Sequence, residues 1–324
     1  MNCVQVLSLR GKIMILSVSR RTDIPAYYGE WFANRIKEQY VLVRNPMNYH
    51  SISRINLSPS VVDCIVFWTK NVEPFLPYLE TFEKQYTFYF QYTLNAYEDD
   101  VEKNIPLLET RLDSLKKLSS KYGQKNVIWR YDPIMISEKY NLAWHIDRFK
   151  YLCATLSGYV NTCVFSFIDI YAKNSSKLGK LGIREVTELE KIQVAQEFSF
   201  IAEKYNIRLK TCTENIDLSK YGIEKSCCVD PKLVEELIGC NIVSAKDKNQ
   251  RVDCGCVGSV DIGQYNTCAN GCIYCYASYS PESVSNNMLK HNPDSALLLG
   301  EVEPNDKIHE RELQSLKSMQ LSLF

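Results

Sequence analysis

The sequence predicts an α/β fold: a (β/α) barrel or partial TIM-like barrel of about six parallel βα units, closed by a C-terminal cysteine-rich region. Three observations carry this expectation. Apolar runs of strand length alternate with amphipathic segments of helix length over the first two-thirds of the 324 residues. Nearly every apolar run ends in charged or polar residues, and parallel α/β folds build their sites at the carboxyl ends of strands. Nine of the 13 cysteines crowd between Cys212 and Cys275.

The elements follow in order. Ile13–Ser19 (IMILSVS) reads as the first buried strand, and Tyr27–Glu38 as a helix after Pro25. Val41–Arg44 with Ile52–Leu57 suggests a hairpin inserted after that helix. Val61–Thr69 is the second strand and Glu73–Lys84 the next helix. Tyr86–Leu94, Val127–Tyr131, Asn161–Asp169 and Ile207–Cys212 are four more strands. The helices between them span Ile105–Tyr122, Leu142–Leu156 and Thr187–Tyr205. Beyond Asp217 the alternation stops. Pro231–Ile238 reads as a short helix, 281–305 as a loose tail and Lys307–Met319 as a final helix. These patterns divide the chain into a barrel (12–217), a cysteine-rich region that closes it (218–285) and a C-terminal tail (286–324).

Charge and hydropathy exclude some classes. The 38 basic and 38 acidic residues cancel, so there is no global attraction to nucleic acid or acidic membranes. No apolar run reaches membrane-spanning length, and the start MNCVQVLSLRGKIMILSVS is too polar and interrupted for a secretory signal. The expected location is cytoplasmic, where crowded cysteines point to metal or redox chemistry rather than disulfides. Cys3, Cys64, Cys153 and Cys163 are scattered among apolar neighbours and read as small buried hydrophobes.

Thr267–Ala277 (TCANGCIYCYA) spaces Cys268, Cys272 and Cys275 as C-x3-C-x2-C. Three thiolates on one short loop suit three irons of a four-iron cluster and leave one iron open to a substrate or cofactor. Structural zinc prefers four ligands in paired knuckles; Cys254-x-Cys256 is tight for a knuckle, and none of the four histidines lies in this stretch. Six further cysteines precede the loop. Cys212, at a strand end, with Cys228, Cys254 and Cys256 is the expected ligand set of a second [4Fe-4S] cluster. The polar strand ends supply Arg20, Arg21, Asp23, Lys70, Asn95, Arg130, Asp132 and Glu214. Arg20, Arg21, Lys70 and Arg130 suit the fixing of carboxylate or phosphate groups. A structural ring of ion pairs at a barrel mouth is the competing reading for each.

The loop spacing, with Tyr274 directly before the third cysteine, resembles the signature of the radical S-adenosylmethionine superfamily. Segments SVSRRTDIP (Ser17–Pro25), VRNP (Val43–Pro46), FWTKN (Phe67–Asn71), RYDP (Arg130–Pro133), KDKNQRVDCGC (Lys246–Cys256) and DIGQYNTCANGCIYCYA (Asp261–Ala277) resemble a prokaryotic family catalogued as domain of unknown function 1848. That family is noted for a cysteine cluster at its C-terminus, where the superfamily carries one near its N-terminus. The resemblance implies a (β/α) barrel and a [4Fe-4S] cluster that chelates S-adenosylmethionine. It also implies reductive cleavage to a 5′-deoxyadenosyl radical, with an electron donor such as ferredoxin or flavodoxin. Asp23, Asp132, Glu214, Asn95 and Tyr274 become cofactor-side candidates.

The last five residues, Gln320–Phe324 (QLSLF), match the short motif by which bacterial repair and replication proteins bind the sliding clamp. A terminal peptide of this kind inserts its Leu and Phe into a preformed apolar pocket. The substrate would then be DNA or a nucleotide, in a repair reaction. The alternatives are a non-catalytic iron–sulfur protein, redox or structural, recruited to DNA through the clamp, and a zinc-stabilised barrel with hydrolytic chemistry.

Overall fold

The structure, a computed structural model, describes residues 14–242, 245–247 and 254–311. β1 (Ile15–Val18) leads into α1 (Ile24–Tyr27) and α2 (Gly29–Glu38), then into a hairpin of β2 (Tyr40–Asn45) and β3 (Asn48–Asn56). Alternation continues through β4 (Cys64–Thr69), α3 (Leu76–Leu79), β5 (Phe88–Thr93), α4 (Leu108–Tyr122), β6 (Val127–Ile134) and α5 (Leu142–Leu156). β7 (Thr162–Phe167), α6 (Ser175–Lys180), α7 (Glu188–Lys204) and β8 (Arg208–Thr211) follow. The last third contributes β9 (Glu224–Lys225), α8 (Pro231–Ile238), β10 (Val260–Asp261), α9 (Pro281–Met288) and β11 (Lys307–Glu310).

Eight strands form one parallel sheet in the order β10-β1-β4-β5-β6-β7-β8-β9. That order is chain order, except that β10 returns to lie beside β1. It is the strand order of a singly wound barrel with one seam, between β9 and β10; among the described residues no ladder closes it. The cysteine-rich residues thus supply two strands of the main sheet.

Strand side chains alternate between two faces, as the two-residue period requires. One face carries Leu16, Phe67, Phe90, Trp129 and Phe165, packed against Trp31, Phe32, Leu115, Phe149 and Phe198 of the helices. Phe149 of α5 and Phe198 of α7 stack with centroids 3.7 Å apart. The opposite face carries Ile15, Cys64, Val66, Tyr89, Ile128 and Val164. Cys212, Cys228, Cys254, Cys256 and Val234 of α8 cover it. Helix starts are locally encoded. Asn141 caps α5, Thr187 and Glu190 form a capping box on α7, and Asp230-Pro231 and Ser280-Pro281 open α8 and α9.

The six expected strands, the hairpin and most helices lie where the sequence places them. Three expectations are corrected. The helix expected over Glu73–Lys84 is a 3₁₀ turn (Glu73–Phe75) and the single turn of α3; Phe82 and Gln85 then close 3₁₀-type turns onto Leu79 and Phe82. The expected helix from Lys307 begins instead as β11, parallel to β3, because that partner from far up the chain satisfies its backbone. Residues 281–305 are not a loose tail. The buried indole of Trp31 donates to the carbonyls of Ser295 (2.9 Å) and Leu297 (3.1 Å), and Leu297 is itself buried. Cys3 and Gln320–Phe324 lie outside the described residues.

Replacing Trp31 with Phe leaves two buried carbonyls without a donor and is expected to cost about 1–3 kcal/mol in urea-induced unfolding. The same change should speed limited proteolysis between 289 and 306. An unchanged cleavage rate would mean that the indole does not hold this segment.

Candidate metal centre

The return of β10 to β1 places the cysteine loop. Asp261, the last residue of β10, accepts from Ser17 Oγ (3.0 Å), Ser19 Oγ (2.5 Å), the backbone N–H groups of Arg20 (2.9 Å) and Gly263 (3.0 Å), and the Arg21 guanidinium (3.0 Å). Burial raises its carboxyl, but Arg21 and these donors outweigh burial and hold it below the usual range. Gly263 follows in a space where a Cβ would lie 2.2 Å from Ser19 Oγ, so only glycine fits the approach.

The loop from Thr267 to Ala277 then crosses the carboxyl ends of the strands. Thr22 Oγ1 bonds Thr267 Oγ1 (2.7 Å), Tyr28 OH donates to the Thr267 carbonyl (2.6 Å) and Tyr27 OH donates to Asn270 Oδ1 (2.8 Å). Asn266 N–H closes the loop on the Ala277 carbonyl (2.8 Å). From the segment after β5, Asn104 holds the carbonyls of Ala269 and Asn270, and the Val101 carbonyl accepts Ile273 N–H. Cys268, Cys272 and Cys275 are thereby brought close enough to act on one another. Burial, then Asp23 and the other two thiols, pushes Cys268 well up, and burial pushes Cys272 up to about 12. Such thiols give up their protons to a coordinated metal rather than to water. Among the described residues only His50, Glu303 and Asp306 bring three ligand atoms within 4.8 Å of one another. The loop thiols are therefore spaced more widely than one tetrahedral ion needs. The His50 trio is an ion-pair cluster, since Arg44 already binds both oxygens of Asp306 (2.7 and 2.8 Å).

Tyr274 reaches inward to a buried charge centre. Its hydroxyl donates to Glu102, which also meets Lys70 Nζ (2.8 Å), Arg111 Nη1 (3.5 Å) and Asn95 Nδ2 (3.2 Å). Glu102 is 3% exposed. Burial would raise its carboxyl, but Lys70 and Arg111 hold it below the usual glutamate range. Lys70 also faces Cys272 and lowers that thiol against the effect of burial.

A second thiol set lies on the inner face of the sheet. Cys212 follows β8, Cys228 follows β9, and Cys254 and Cys256 precede β10. The sulfurs of Cys212 and Cys228 are 3.1 Å apart, and Cys256 lies near enough to Cys228 and Cys254 to shift both thiols. Tyr89 OH (2.8 Å) and Gln91 Nε2 (2.9 Å) from β5 hold the Cys228 carbonyl. The N–H groups of Cys228 (3.2 Å) and Val229 (3.4 Å) donate to Cys256 Sγ, and Arg130 Nη1 donates to Cys228 Sγ (3.2 Å). This donor set, soft sulfur ringed by N–H groups, fits an iron–sulfur centre.

The remaining strand-end residues divide. Arg21 pairs with Asp261, and Arg130 with Asp132, whose other oxygen takes Ser166 Oγ. The bulge between Tyr131 and Ile134 sets that aspartate at the strand end. Asp23 caps α1 and takes the Lys70 N–H (2.9 Å) and Asn270 Nδ2 (3.1 Å). Glu214 takes Phe167 N–H (2.9 Å) and Lys191 Nζ (3.0 Å) at the edge of this region. Asn95 bridges the Asp132 carbonyl and N–H to Glu102. Sequence reading missed Glu102, Arg111, Asn270 and Asp261 as members of this site. Asp261 had a signal, standing just before the cysteine loop in an otherwise apolar and glycine-rich context. Glu102 had none, lying among Glu98, Asp99, Asp100 and Lys103 in a run that reads as solvated charge.

Fold and site define a class: an α/β protein whose singly wound parallel sheet carries one cysteine set across its carboxyl end and a second on its inner face. The family described as "Domain of unknown function (DUF1848)" matches residues 15–277, and the chain belongs to that family. No curated protein and no solved structure matches the chain.

Changing Glu102 to Gln leaves Lys70 without its buried counter-charge, and about 3–5 kcal/mol of stability should be lost at neutral pH. Because the Glu102 carboxyl is held down in the folded chain, its contribution is present above the usual glutamate range and lost as pH falls through the lowered value. Urea midpoints of the two proteins should therefore converge in acid. Parallel midpoints across that range would refute the charge-centre account.

Proposed function

We propose that the chain is an iron–sulfur enzyme of the radical S-adenosylmethionine type. The observation that supports this reading is the placing of Cys268, Cys272 and Cys275, three thiols on one anchored loop, across the carboxyl end of a parallel sheet. Three thiolates leave one iron of a cubane without a protein ligand, as binding of a small-molecule chelate requires. Such a cluster, when bound, supplies one-electron reduction of the sulfonium of S-adenosylmethionine and so starts radical chemistry. The chain's own residues do the rest. Thr22, Tyr27, Tyr28 and Asn104 fix the loop. Lys70 keeps a positive charge beside Cys272. Cys272 is buried, while Cys268 and Cys275 are partly open to the mouth of the sheet. A second cluster at Cys212, Cys228, Cys254 and Cys256 belongs to the same reading, with an electron donor such as ferredoxin or flavodoxin. No helix among the described residues is long and apolar enough to cross a membrane. A DNA or nucleotide substrate rests on the clamp-binding motif of Gln320–Phe324 alone.

Anaerobic reconstitution should load about eight irons per chain, and alanine at Cys268, Cys272 and Cys275 together should leave about four. S-adenosylmethionine should shift the electron paramagnetic resonance signal of the reduced wild-type protein, with release of 5′-deoxyadenosine, and leave the triple variant unaffected. One tightly held zinc and no iron would overturn the proposal. A pull-down on a bacterial sliding clamp, with and without residues 320–324, tests the recruitment motif, and equal capture removes the argument for DNA.

A further inference from the structure

Arg20 is the exception among the strand-end cations. Arg21, Lys70 and Arg130 each meet a carboxylate. The Arg20 side chain makes one long bond, from Nη1 to Ser259 Oγ (3.3 Å), and its Nη2 is buried with no hydrogen-bond partner among the described residues. Its guanidinium lies over the Trp68 ring at 5.2 Å. The Arg130 guanidinium lies over the same ring at 5.7 Å. That indole is fixed in turn, since Trp68 Nε1 donates to Ser17 Oγ (3.2 Å), which donates to Asp261.

Both guanidiniums lie over an indole that packs against the cluster of inner thiols. Arg130 Nη1 donates to Cys228 Sγ. Burial acts to lower the Arg20 guanidinium, and Cys256 and Cys228, ahead of Asp261, act to raise it. Arg130 has Asp132 as its counter-charge, but Arg20 has no carboxylate paired with its guanidinium among the described residues, and beside neutral thiols that would be a poor arrangement, because a charge withdrawn from water needs a counter-charge. Four thiolates around an iron–sulfur core are net negative in both redox states, and they supply one. N–H groups aimed at sulfur raise the potential of such a centre. The inner set receives them from Arg130, Cys228 and Val229. The outer set receives the Ser278 N–H, at 3.3 Å from Cys275 Sγ, and the Asn270 N–H on Cys268, but no guanidinium among the described residues.

We propose that Arg20 and Arg130 are paired positioning cations for an inner centre held by Cys212, Cys228, Cys254 and Cys256, donating N–H···S hydrogen bonds that retain its metal and make it the first of two centres to be reduced. The inference rests on the reading of the chain as an iron–sulfur protein, but not on cleavage of S-adenosylmethionine. The electron comes from added reductant, and no bond forms or breaks.

The test uses the full chain, reconstituted anaerobically, with alanine at Cys268, Cys272 and Cys275 so that the inner set stands alone. This protein should retain about half the wild-type iron. Adding Arg20→Met, which keeps the apolar stem and removes the charge and donors, should lower the midpoint potential in a dithionite titration. It should also speed iron loss to a chelator about tenfold. Arg20→Lys, which restores the charge without the fork, should fall between the two. An unchanged potential and chelation rate in Arg20→Met overturns the role of Arg20. Iron absent from the loop variant but present in wild type overturns the inner centre and leaves the outer one standing. Full wild-type iron in the loop variant supports the inner centre and overturns the proposed function instead. Should Arg20→Met fail to fold, the same titration of Arg20→Lys against its parent decides the matter, since equal potentials count against the hydrogen bonds.

Discussion

The carboxylate of Asp261 is the point on which the rest of the molecule depends. It sits where the last strand of the sheet returns to the first, and both strand ends must be satisfied there at once. Ser17 and Ser19, the backbone of Arg20 and Gly263, and the guanidinium of Arg21 all donate to it. Apart from the local bond to Gly263, each joins residues 240 to 244 positions apart in the chain. Without this knot the pairing of β10 with β1 has only two residues of ladder to hold it. With it, the start of the cysteine loop is fixed over the mouth of the sheet, and Arg20 is left beside the inner thiols.

Two buried charge centres then divide the work. At Glu102 one carboxylate faces two cations, and the phenol of Tyr274 joins the cysteine loop to that pair. At Trp68 two cations flank one indole that packs against the cluster of inner thiols. The first centre is complete within the protein. In the second, Arg130 has Asp132, but Arg20 keeps a donor without a partner among the described residues. A low-dielectric interior makes this contrast meaningful: paired charges rigidify, while an unpaired one calls for a ligand of opposite sign.

The inner face of the sheet shows why a C-terminal cysteine region can take over the job of a core. In a closed barrel the inward side chains meet one another across the axis. Here the seam between β9 and β10 admits the segments around Cys228 and Cys256, and Val229, Val234 and Val257 fill the interior beside Ile15, Val66 and Val164. The thiols are therefore packed among apolar side chains. The hydrogen bond to Cys228, and then burial, raises Cys212, while the bond from Cys256 leaves Cys254 lowered.

Local chemistry was enough to determine much of this protein. Alternation of apolar runs marked the six expected strands, because periodicity acts over a few residues; the caps at Asn141, Thr187 with Glu190, and Asp230 are equally local. The spacing of Cys268, Cys272 and Cys275 was legible for the same reason, since one short loop contains all three. The tertiary structure alone decided the remainder. It turned Lys307–Glu310 into a strand, drew 281–305 onto Trp31, and made Glu102 and Asp261 the hubs of the mouth. It also gathered Cys212, Cys228, Cys254 and Cys256 beneath Arg20 and Arg130. Each of these depends on partners from distant parts of the chain, and a sequence records which residues are available, not which of them burial will force to meet.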